Sequence, residues 1–245
     1  MKKLLLGLFL LIPFILSAQA SDPIALKVMD NVIAKAKENE ILKRKYIIYN
    51  RHTTIKDLKY NPPPTKTQIS LLFGRDNKSY EKLIEENGRK LTNRREELGN
   101  FDQLGLYEAM RTRYEYTMPN PQLQLLNDKV VLVVNFKPKD KSQLTFDKNE
   151  DEVINRISGT FWIDIDTHAV LKFEAHLTES FTKGLIVFSM DIFNVSIEQE
   201  EKFGIMVPKR MTYTVKYRLF LASTYEEQTS TYSDHTDLRL AGQPQ

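Results

Sequence analysis

The sequence has 245 residues, of which 41% are hydrophobic and 27% are charged, with 9 Gly, 10 Pro and no Cys. This composition is typical of a globular protein, and the length suits one large domain or two small ones. The lack of cysteine excludes disulfides, thiolate nucleophiles and thiolate metal sites. A formal net charge of +3 is too small to indicate a nucleic-acid-binding protein.

The first twenty residues have the features of a secretory signal. Lys2 and Lys3 precede an apolar stretch at 4–16, and Ala18 and Ala20 occupy the two positions that a signal peptidase reads. An uncleaved membrane anchor is the alternative, but thirteen residues form a helix only about 20 Å long against about 30 Å of hydrocarbon. We therefore expect a signal peptide at 1–20, cleaved after Ala20, and a soluble mature chain of residues 21–245 in the periplasm.

The mature sequence begins with a predicted helix. Asp22 is a capping residue type, and Pro23 suits the first helical position. Apolar residues then recur at helical spacing, at Ile24, Val28, Val32 and Ile33. This pattern predicts an amphipathic helix of about 20 residues that ends near Leu42.

Beyond the helix the hydrophobic pattern changes to a period of two, which is typical of strands. Strands are predicted at 46–53, 67–73, 80–86, 129–137, 157–166, 169–179, 185–198, 206–222 and 226–239. The most apolar of these, 129–137, is expected to be a central strand. A broken helix is predicted at 94–113, and a charged loop at 139–151.

The alternation also predicts a register for one hairpin. Burying Phe161, Ile163 and Ile165 together with Leu171 and Phe173 pairs Ile163 with Phe173 and Ile165 with Leu171. This register leaves a three-residue loop at 167–169.

In the same register Asp164 lies opposite Lys172, and His176 lies opposite Thr160. In the strand 211–219, alternation places Tyr213, Val215, Tyr217 and Leu219 on one face.

These elements predict a mainly β protein with some α structure (α+β). A large antiparallel sheet must twist and curl, and the apolar stripe of the N-terminal helix needs a surface to cover. We expect a curved sheet that forms a half-open barrel with the helix as a lid. The space between lid and sheet is then the default ligand pocket.

At this point the chain resembles the LolA/LolB superfamily of periplasmic lipoprotein carriers and receptors, and the related sensor domain of RseB type. The resemblance is carried by the segment 159–166, Gly-Thr-Phe-Trp-Ile-Asp-Ile-Asp, and by 207–210, Val-Pro-Lys-Arg. Uncharacterised secreted bacterial proteins described as similar to outer-membrane lipoprotein-sorting proteins share 80–91 and the closing Tyr-Ser-Asp at 232–234. The resemblance implies one domain over 21–245, with 94–118 and 139–151 as additions. The functional arginine of the carriers has no recognisable counterpart here.

The candidate ligand-binding residues are apolar or aromatic and lie on the helix stripe and on the inward faces of three strands. They are Ile24, Val28, Val32, Phe161, Ile163, Phe173, Tyr213, Val215 and Tyr217. The same residues suit a core that is simply filled by side chains, because a filled sheet and a cavity-bearing one share the period of two. Both interpretations stay open at the level of sequence.

Evidence for a metal centre or a catalytic site is weak in the sequence. His168, His176, Asp164 and Asp166 share one predicted hairpin, but the expected register separates the two histidines too far for common ligation. No nucleophile elbow and no phosphate-binding glycine loop is present. We expect no catalytic residue, no metal and no cofactor.

Three functions follow in order of preference. The first is a periplasmic binding or carrier protein that holds a lipid, an acyl chain or a lipoprotein between helix and sheet. The second is an envelope sensor or interaction protein with a filled core and a protein partner. A hydrolase is a distant third. All three exclude nucleic acid as a partner, and membrane contact is expected to be peripheral or transient.

Overall fold

The structure is a computed structural model, and it describes residues 21–76, 78–92, 97–98, 109–141, 144, 149–184 and 188–240. The predicted signal peptide lies outside the described residues, as do parts of the predicted broken helix and of the charged loop. Of the segment 94–113, the described residues are Glu97 and Leu98, which form a short strand, and 109–113, which are helical.

Helix α1 spans Pro23–Tyr46, four residues longer than the sequence predicts. It begins because the Asp22 side chain accepts a hydrogen bond from the backbone N–H of Ile24 at 2.8 Å, with Pro23 in the first turn. The last turn carries three cationic residues, Lys43, Arg44 and Lys45. Their positive charges interact favourably with the negative C-terminal end of the helix dipole. The chain then enters the first strand without a loop.

Besides the helical residues 109–113, the other elements of the described residues are short helix α2 and fourteen strands. Helix α2 spans Asn149–Ile154. The strands are β1 Ile47–Asp57, β2 Thr65–Arg75, β3 Lys78–Glu86, β4 Arg89–Lys90, β5 Glu97–Leu98, β6 Tyr114–Thr117, β7 Leu123–Leu126, β8 Lys129–Pro138, β9 Ile157–Asp164, β10 Val170–Leu177, β11 Phe181–Lys183, β12 Phe188–Lys202, β13 Ile205–Leu219 and β14 Ala222–Asp237. Each predicted strand is present, and β4, β5, β6, β7 and β11 are additional.

All fourteen strands of the described residues belong to one antiparallel sheet. Its order is β4-β3-β2-β1-β14-β13-β12-β10-β9-β8-β6, with β5, β7 and β11 paired to β3, β8 and β12. The sheet has free edges at β4 and β6 and is not closed into a barrel, which confirms the predicted open sheet with an N-terminal helix. No helix among the described residues is long and apolar enough to cross a membrane.

The expectation of a central position for the most apolar strand is wrong. Strand β8 lies next to the edge strand β6, whereas β14 and β13 occupy the middle of the sheet. Residues on both faces of β8 are buried: Val131 and Val133 on one face, and Val134 and Phe136 on the other. The continuous apolar run therefore reflects burial on both faces of the strand and not its place in the sheet.

The predicted register of the β9–β10 hairpin is also wrong. Phe173 pairs with Phe161, and Ile163 pairs with Val170, with a bulge between Val170 and Lys172. The turn is longer than predicted because the Asp164 carboxylate accepts hydrogen bonds from the backbone N–H groups of Asp166 (3.1 Å) and Thr167 (3.0 Å). This turn leaves Ile165 44% exposed.

The shift also changes the partners of two polar residues. Lys172 pairs with Trp162 instead of lying opposite Asp164, and its ammonium lies 4.7 Å from the centre of the indole ring. His176 pairs with Ser158 instead of Thr160.

Candidate functional site

Helix α1 covers one face of the sheet, which we call the inner face, and the residues of its apolar stripe that face the sheet are buried. Ala25, Met29, Val32 and Ile33 are each at most 5% exposed. They belong to one cluster with residues of β6, β8, β9 and β10, which we call the main core. Burial of such side chains contributes about 1.5–3 kcal/mol each, so the helix is held mainly by this stripe.

Aromatic rings fill the centre of the main core. The rings of Phe136, Phe161 and Phe173 contact one another, with centroids 4.9–5.7 Å apart, and Tyr114 meets Phe136 edge-on at 5.0 Å. Burial raises the pKa of the Tyr114 hydroxyl well above its ordinary value. The hydroxyl therefore stays protonated, and it donates to the backbone carbonyl of Ile154 at 2.5 Å.

A second, smaller cluster lies under the C-terminal half of α1. It comprises Ile47, Tyr49, Ile205 and Val207, with Leu42 and Tyr232 packed against it. The rings of Tyr49 and Tyr232 meet at 5.8 Å in an edge-on geometry. Between this cluster and α1 lies a cavity of about 30 Å³, which is room for about one water molecule.

Two polar features fix α1 on the sheet. The Asn39 side chain donates to the carbonyl of Met206 and accepts from its N–H, both at 2.7 Å, and so acts as a neighbouring strand would. At Gly74 a Cβ would lie 1.6 Å from the Arg44 carbonyl oxygen, so only glycine lets β2 approach the helix this closely.

A buried carboxylate, Glu40, lies on the same side of α1. It is 2% exposed and is paired with Lys43 (2.5 Å) and Arg44 (2.8 Å). A carboxylate this deeply buried needs such partners. The helix therefore carries its own counterions into the interface.

The predicted ligand-binding residues fall into three groups. Val28, Val32, Phe161, Ile163 and Phe173 come together in or against the main core.

Val215 is buried on β13, and Tyr213 and Tyr217 are partly buried beside it on the same strand. Ile24 is 66% exposed and is not brought to the others. The space between helix and sheet at these positions is occupied by the side chains themselves.

Polar residues on the inner face were missed by the sequence patterns. The Arg51 guanidinium pairs with the Glu81 carboxylate across β1 and β3, and the Thr53 and Ser230 hydroxyls share a buried hydrogen bond of 3.0 Å. These residues continue the same face that is apolar under α1. The only signal in the sequence is their position in the alternation.

A wide cleft of about 430 Å³ lies over β9, β10, β12 and β13. Ala175 lies in the row that faces the main core, so its neighbours Glu174 and His176 point to the opposite face. The cleft is therefore on the outer face of the sheet, and its polar side chains include those of Thr160, Asn194 and Thr212. It differs from the predicted pocket both in place and in chemistry.

One exposed cluster combines a histidine, a hydroxyl and a carboxylate. The Ser233 hydroxyl lies 3.0 Å from Nε2 of His52 and donates to the Asp234 carboxylate at 2.9 Å, and Asn50 donates to the same oxygen. In a nucleophilic triad the acid orients the histidine, whereas here it accepts from the hydroxyl. Asp234 also has a left-handed backbone, with φ 52°, next to the bulge between β1 and β14. The Tyr-Ser-Asp motif therefore shapes this bulge.

The candidate metal ligands are separated in the structure. His168 is in the β9–β10 turn near Asn31, and Nε2 of His176 lies 3.2 Å from the Ser158 hydroxyl. Within the described residues, no group of three or more histidine and acidic side chains is arranged to hold a metal ion.

Comparison with known proteins gives matches among solved structures. No family model and no curated protein matches the sequence. A putative outer membrane lipoprotein-sorting protein domain from Vibrio parahaemolyticus is 10% identical, with 89% of this chain and 95% of that chain covered and a TM-score of 0.43. A DUF1329 family protein from Desulfovibrio piger is 12% identical, with 91% and 96% covered and a TM-score of 0.42.

A third match is MucB, in a crystal structure with MucA(peri). It is 11% identical, with 84% of this chain and 94% of that chain covered, and has a TM-score of 0.30. Identities of 10–12% and TM-scores of 0.30–0.43 are too low to assign this chain to the family of any of these proteins.

Proposed function

We propose that this chain is a periplasmic protein that works by binding, not by catalysis, and that it acts as an envelope interaction or sensor protein with α1 seated on the sheet. The location is supported by the signal features at 1–20. The binding role is supported by the lack of an activated nucleophile among the polar clusters described above.

The observation that carries this proposal is the packing beneath α1. Small-molecule pockets usually have volumes of about 300–1,000 Å³, whereas the cavity between the last turn of α1 and strands β1–β3 is about 30 Å³. The side chains that would line an acyl pocket, such as Val32, Phe161 and Ile163, are at most 5% exposed and pack on one another. This packing supports a filled interior and a binding role that does not use it.

A lipid or lipoprotein carrier is the second candidate, and one observation favours it. The main core is continuous across β6, β8, β9 and β10, so lifting α1 would expose an apolar face large enough for an acyl chain. Each buried methylene would contribute about 0.8 kcal/mol to binding. This mechanism requires α1 to leave the sheet, whereas the interaction role does not.

The two candidates differ in whether α1 must move, and a helix lock tests this. The protein has no cysteine, so Asn39→Cys with Met206→Cys places one thiol on α1 and one on β13, where the Asn39 side chain contacts the Met206 backbone, and oxidation joins the two elements there. Native mass spectrometry of residues 21–245, purified gently from the periplasm, is expected to show a bare chain. Added fluorescent fatty acid is expected to remain unbound in both the locked and the reduced forms.

The opposite result has a clear signature. A co-purified phospholipid or acylated peptide, or fatty-acid uptake by the reduced protein that the lock abolishes, would establish the carrier role and overturn the interaction proposal. The single variants Asn39→Cys and Met206→Cys are the matched controls, because each carries one of the two substitutions without the cross-link and so leaves the helix free to move.

A further inference from the structure

Large apolar side chains are exposed to water at the turn between β13 and β14. Leu219 pairs with Ala222, which leaves Phe220 and Leu221 as a two-residue turn. Leu219 is 47% exposed, Phe220 is 61% exposed and Leu221 is fully exposed. We call residues 219–221 the apolar tip.

The residues of the apolar tip are unfavourable for a turn as well as for exposure to water. Phe220 has a left-handed backbone with φ 53°, a conformation that suits Gly, Asn or Asp and disfavours a bulky side chain. Two other turns follow that preference, with Asn87-Gly88 and Asn127-Asp128 at positive φ. A third turn also has a phenylalanine at positive φ, Phe203, but Gly204 follows it, whereas Leu221 follows Phe220. Phe and Leu at 220 and 221 therefore serve neither the turn nor solubility, which points to a role outside the fold.

The surroundings of the tip are aromatic and cationic. Lys59 donates from Nζ to the Ser223 carbonyl at 3.2 Å, which places the β1–β2 turn beside the tip. Tyr60, in the same turn, is 61% exposed.

The cations around the tip differ in their partners. Lys59 and Lys216 lie near Asp57 (3.4 Å) and Asp191 (3.3 Å). Arg218 is exposed and forms no ion pair within the described part of the chain. The base of the tip thus carries one uncompensated positive charge.

The size of the tip decides what can cover it. A stable protein interface buries about 800 Å² on each partner, whereas an aromatic side chain buries about 150–250 Å². The three apolar residues of the tip therefore fall well short of a stable dimer or protein complex. A bilayer can accept a protruding tip of this size, with tyrosine at the headgroup level and cations near anionic lipid.

We propose that the apolar tip inserts into the surface of a phospholipid bilayer and anchors the protein peripherally to an envelope membrane. Phe220 and Leu221 enter the acyl boundary, Tyr60 lies at the headgroups, and Arg218 contacts anionic phosphate. The proposal rests on the proposed envelope location and not on any lipid bound inside the protein. Because the tip is far from α1 along the sheet, docking leaves the helix-covered face accessible.

The test is cosedimentation of residues 21–245 with vesicles of phosphatidylcholine and with equimolar phosphatidylethanolamine and phosphatidylglycerol. Wild type is expected to bind both, with about fivefold tighter binding to the anionic vesicles because of Arg218. The double variant Phe220→Asn with Leu221→Gly installs a favoured turn, so it is expected to fold at least as stably. Its binding to both vesicles is expected to fall about tenfold or more.

Three controls make the result specific. Phe203→Asn alters the turn at the other end of β13, where Phe203 is also exposed and at positive φ, and is expected to bind as wild type does. Arg218→Gln is expected to remove only the preference for anionic lipid. Leu221→Ser is a second tip variant, and its fully exposed side chain makes no packing contact to lose.

Several outcomes would overturn the proposal. These are wild type that stays unbound at low salt, tip variants that bind like wild type, or a dimer of wild type that the double variant separates, which would make the tip a self-association site. The helix lock does not touch the tip, and vesicle binding does not require α1 to move. A failure of this proposal is therefore distinguishable from a failure of the proposed interaction role.

Discussion

Apolar residues are buried in the region of the sheet under α1 and exposed at the β13–β14 turn. At the covered end, α1 buries Met29, Val32 and the phenylalanine rings of the main core. At the other end, Phe220 and Leu221 project into water with nothing of the described chain over them. Apolar side chains are thus buried by other parts of the chain in the first region and exposed to water in the second. Sequence hydrophobicity alone does not distinguish these two uses.

The closest backbone contact of the covered end is where we expect the largest effect. Gly74→Ala places a Cβ against the Arg44 carbonyl, which cannot move without displacing α1. We expect a loss of about 4 kcal/mol or more in the free energy of unfolding, measured by urea denaturation. Gly88→Ala is the control, because its Cβ meets open space and only the positive φ of 76° opposes it, at about 1 kcal/mol. Equal losses in the two variants would refute the close approach of helix and sheet.

The contrast between the ends can be measured directly with two phenylalanines. Phe161→Ala removes a ring that is 4% exposed in the main core and is expected to destabilise the protein by about 3–5 kcal/mol. Phe220→Ala removes a ring from the apolar tip and is expected to change stability by less than about 0.5 kcal/mol. Thermal and urea unfolding of both variants checks this, and a large loss for Phe220→Ala would show that the tip is packed.

A smaller effect is expected at the polar contact that fixes α1. Asn39→Ala leaves the N–H and carbonyl of Met206 without their side-chain partner, which we expect to cost about 1–3 kcal/mol. Amide hydrogen exchange at Met206 should accelerate in the same variant. Asn31→Ala, in the same helix but exposed, should be neutral or slightly stabilising because Ala has the higher helix propensity. A comparable loss there would mean that the contact with β13 is not responsible.

The smallest effect is expected at the β9–β10 turn, which, unlike the apolar tip, contains a polar side chain that stabilises the turn. Burial raises the pKa of Asp164, but hydrogen bonds from the backbone and side chain of Thr167 and from the Asp166 N–H lower it more, so the pKa lies below its ordinary 3.8. Asp164 therefore stabilises the fold above that value, and this contribution is lost as the pH falls through the folded-state pKa. The stability gap between wild type and Asp164→Asn should be present at neutral pH and close under acidic conditions. A gap that is independent of pH would contradict this.

Much of the fold could be predicted because its signals are local. The cap at Asp22, Pro23 and the helical spacing of Val28 and Val32 predict α1, and the period of two predicts each long strand. Helix and strand follow from contacts a few residues apart, which a linear sequence displays. The open antiparallel sheet with an N-terminal helix then follows from the order of those elements.

The candidate site depended on contacts between distant residues. The Asp164 turn moved the β9–β10 register by two positions, and this kept the same faces buried while changing every partner. Five of the nine predicted pocket residues lie in or against the main core, and Ile24 is exposed. Their role in ligand binding stays a prediction, because a filled interior and a cavity have the same alternation. The apolar tip was hidden in the sequence too, since alternation places Leu219 inward although the strand has already passed the edge of the core.

Residue type and spacing thus determined the helix, the strands and the open sheet of this protein, because those properties depend on neighbours along the chain. The secretion signal at 1–20 stays a prediction from the sequence. Tertiary structure decided which apolar residues meet each other and which meet water. That choice depends on how far α1 reaches over the sheet, and α1 ends where Tyr46 passes into β1. Strands of fifteen and sixteen residues extend beyond the helix that covers them, so the same alternation is buried at one end and bare at the other.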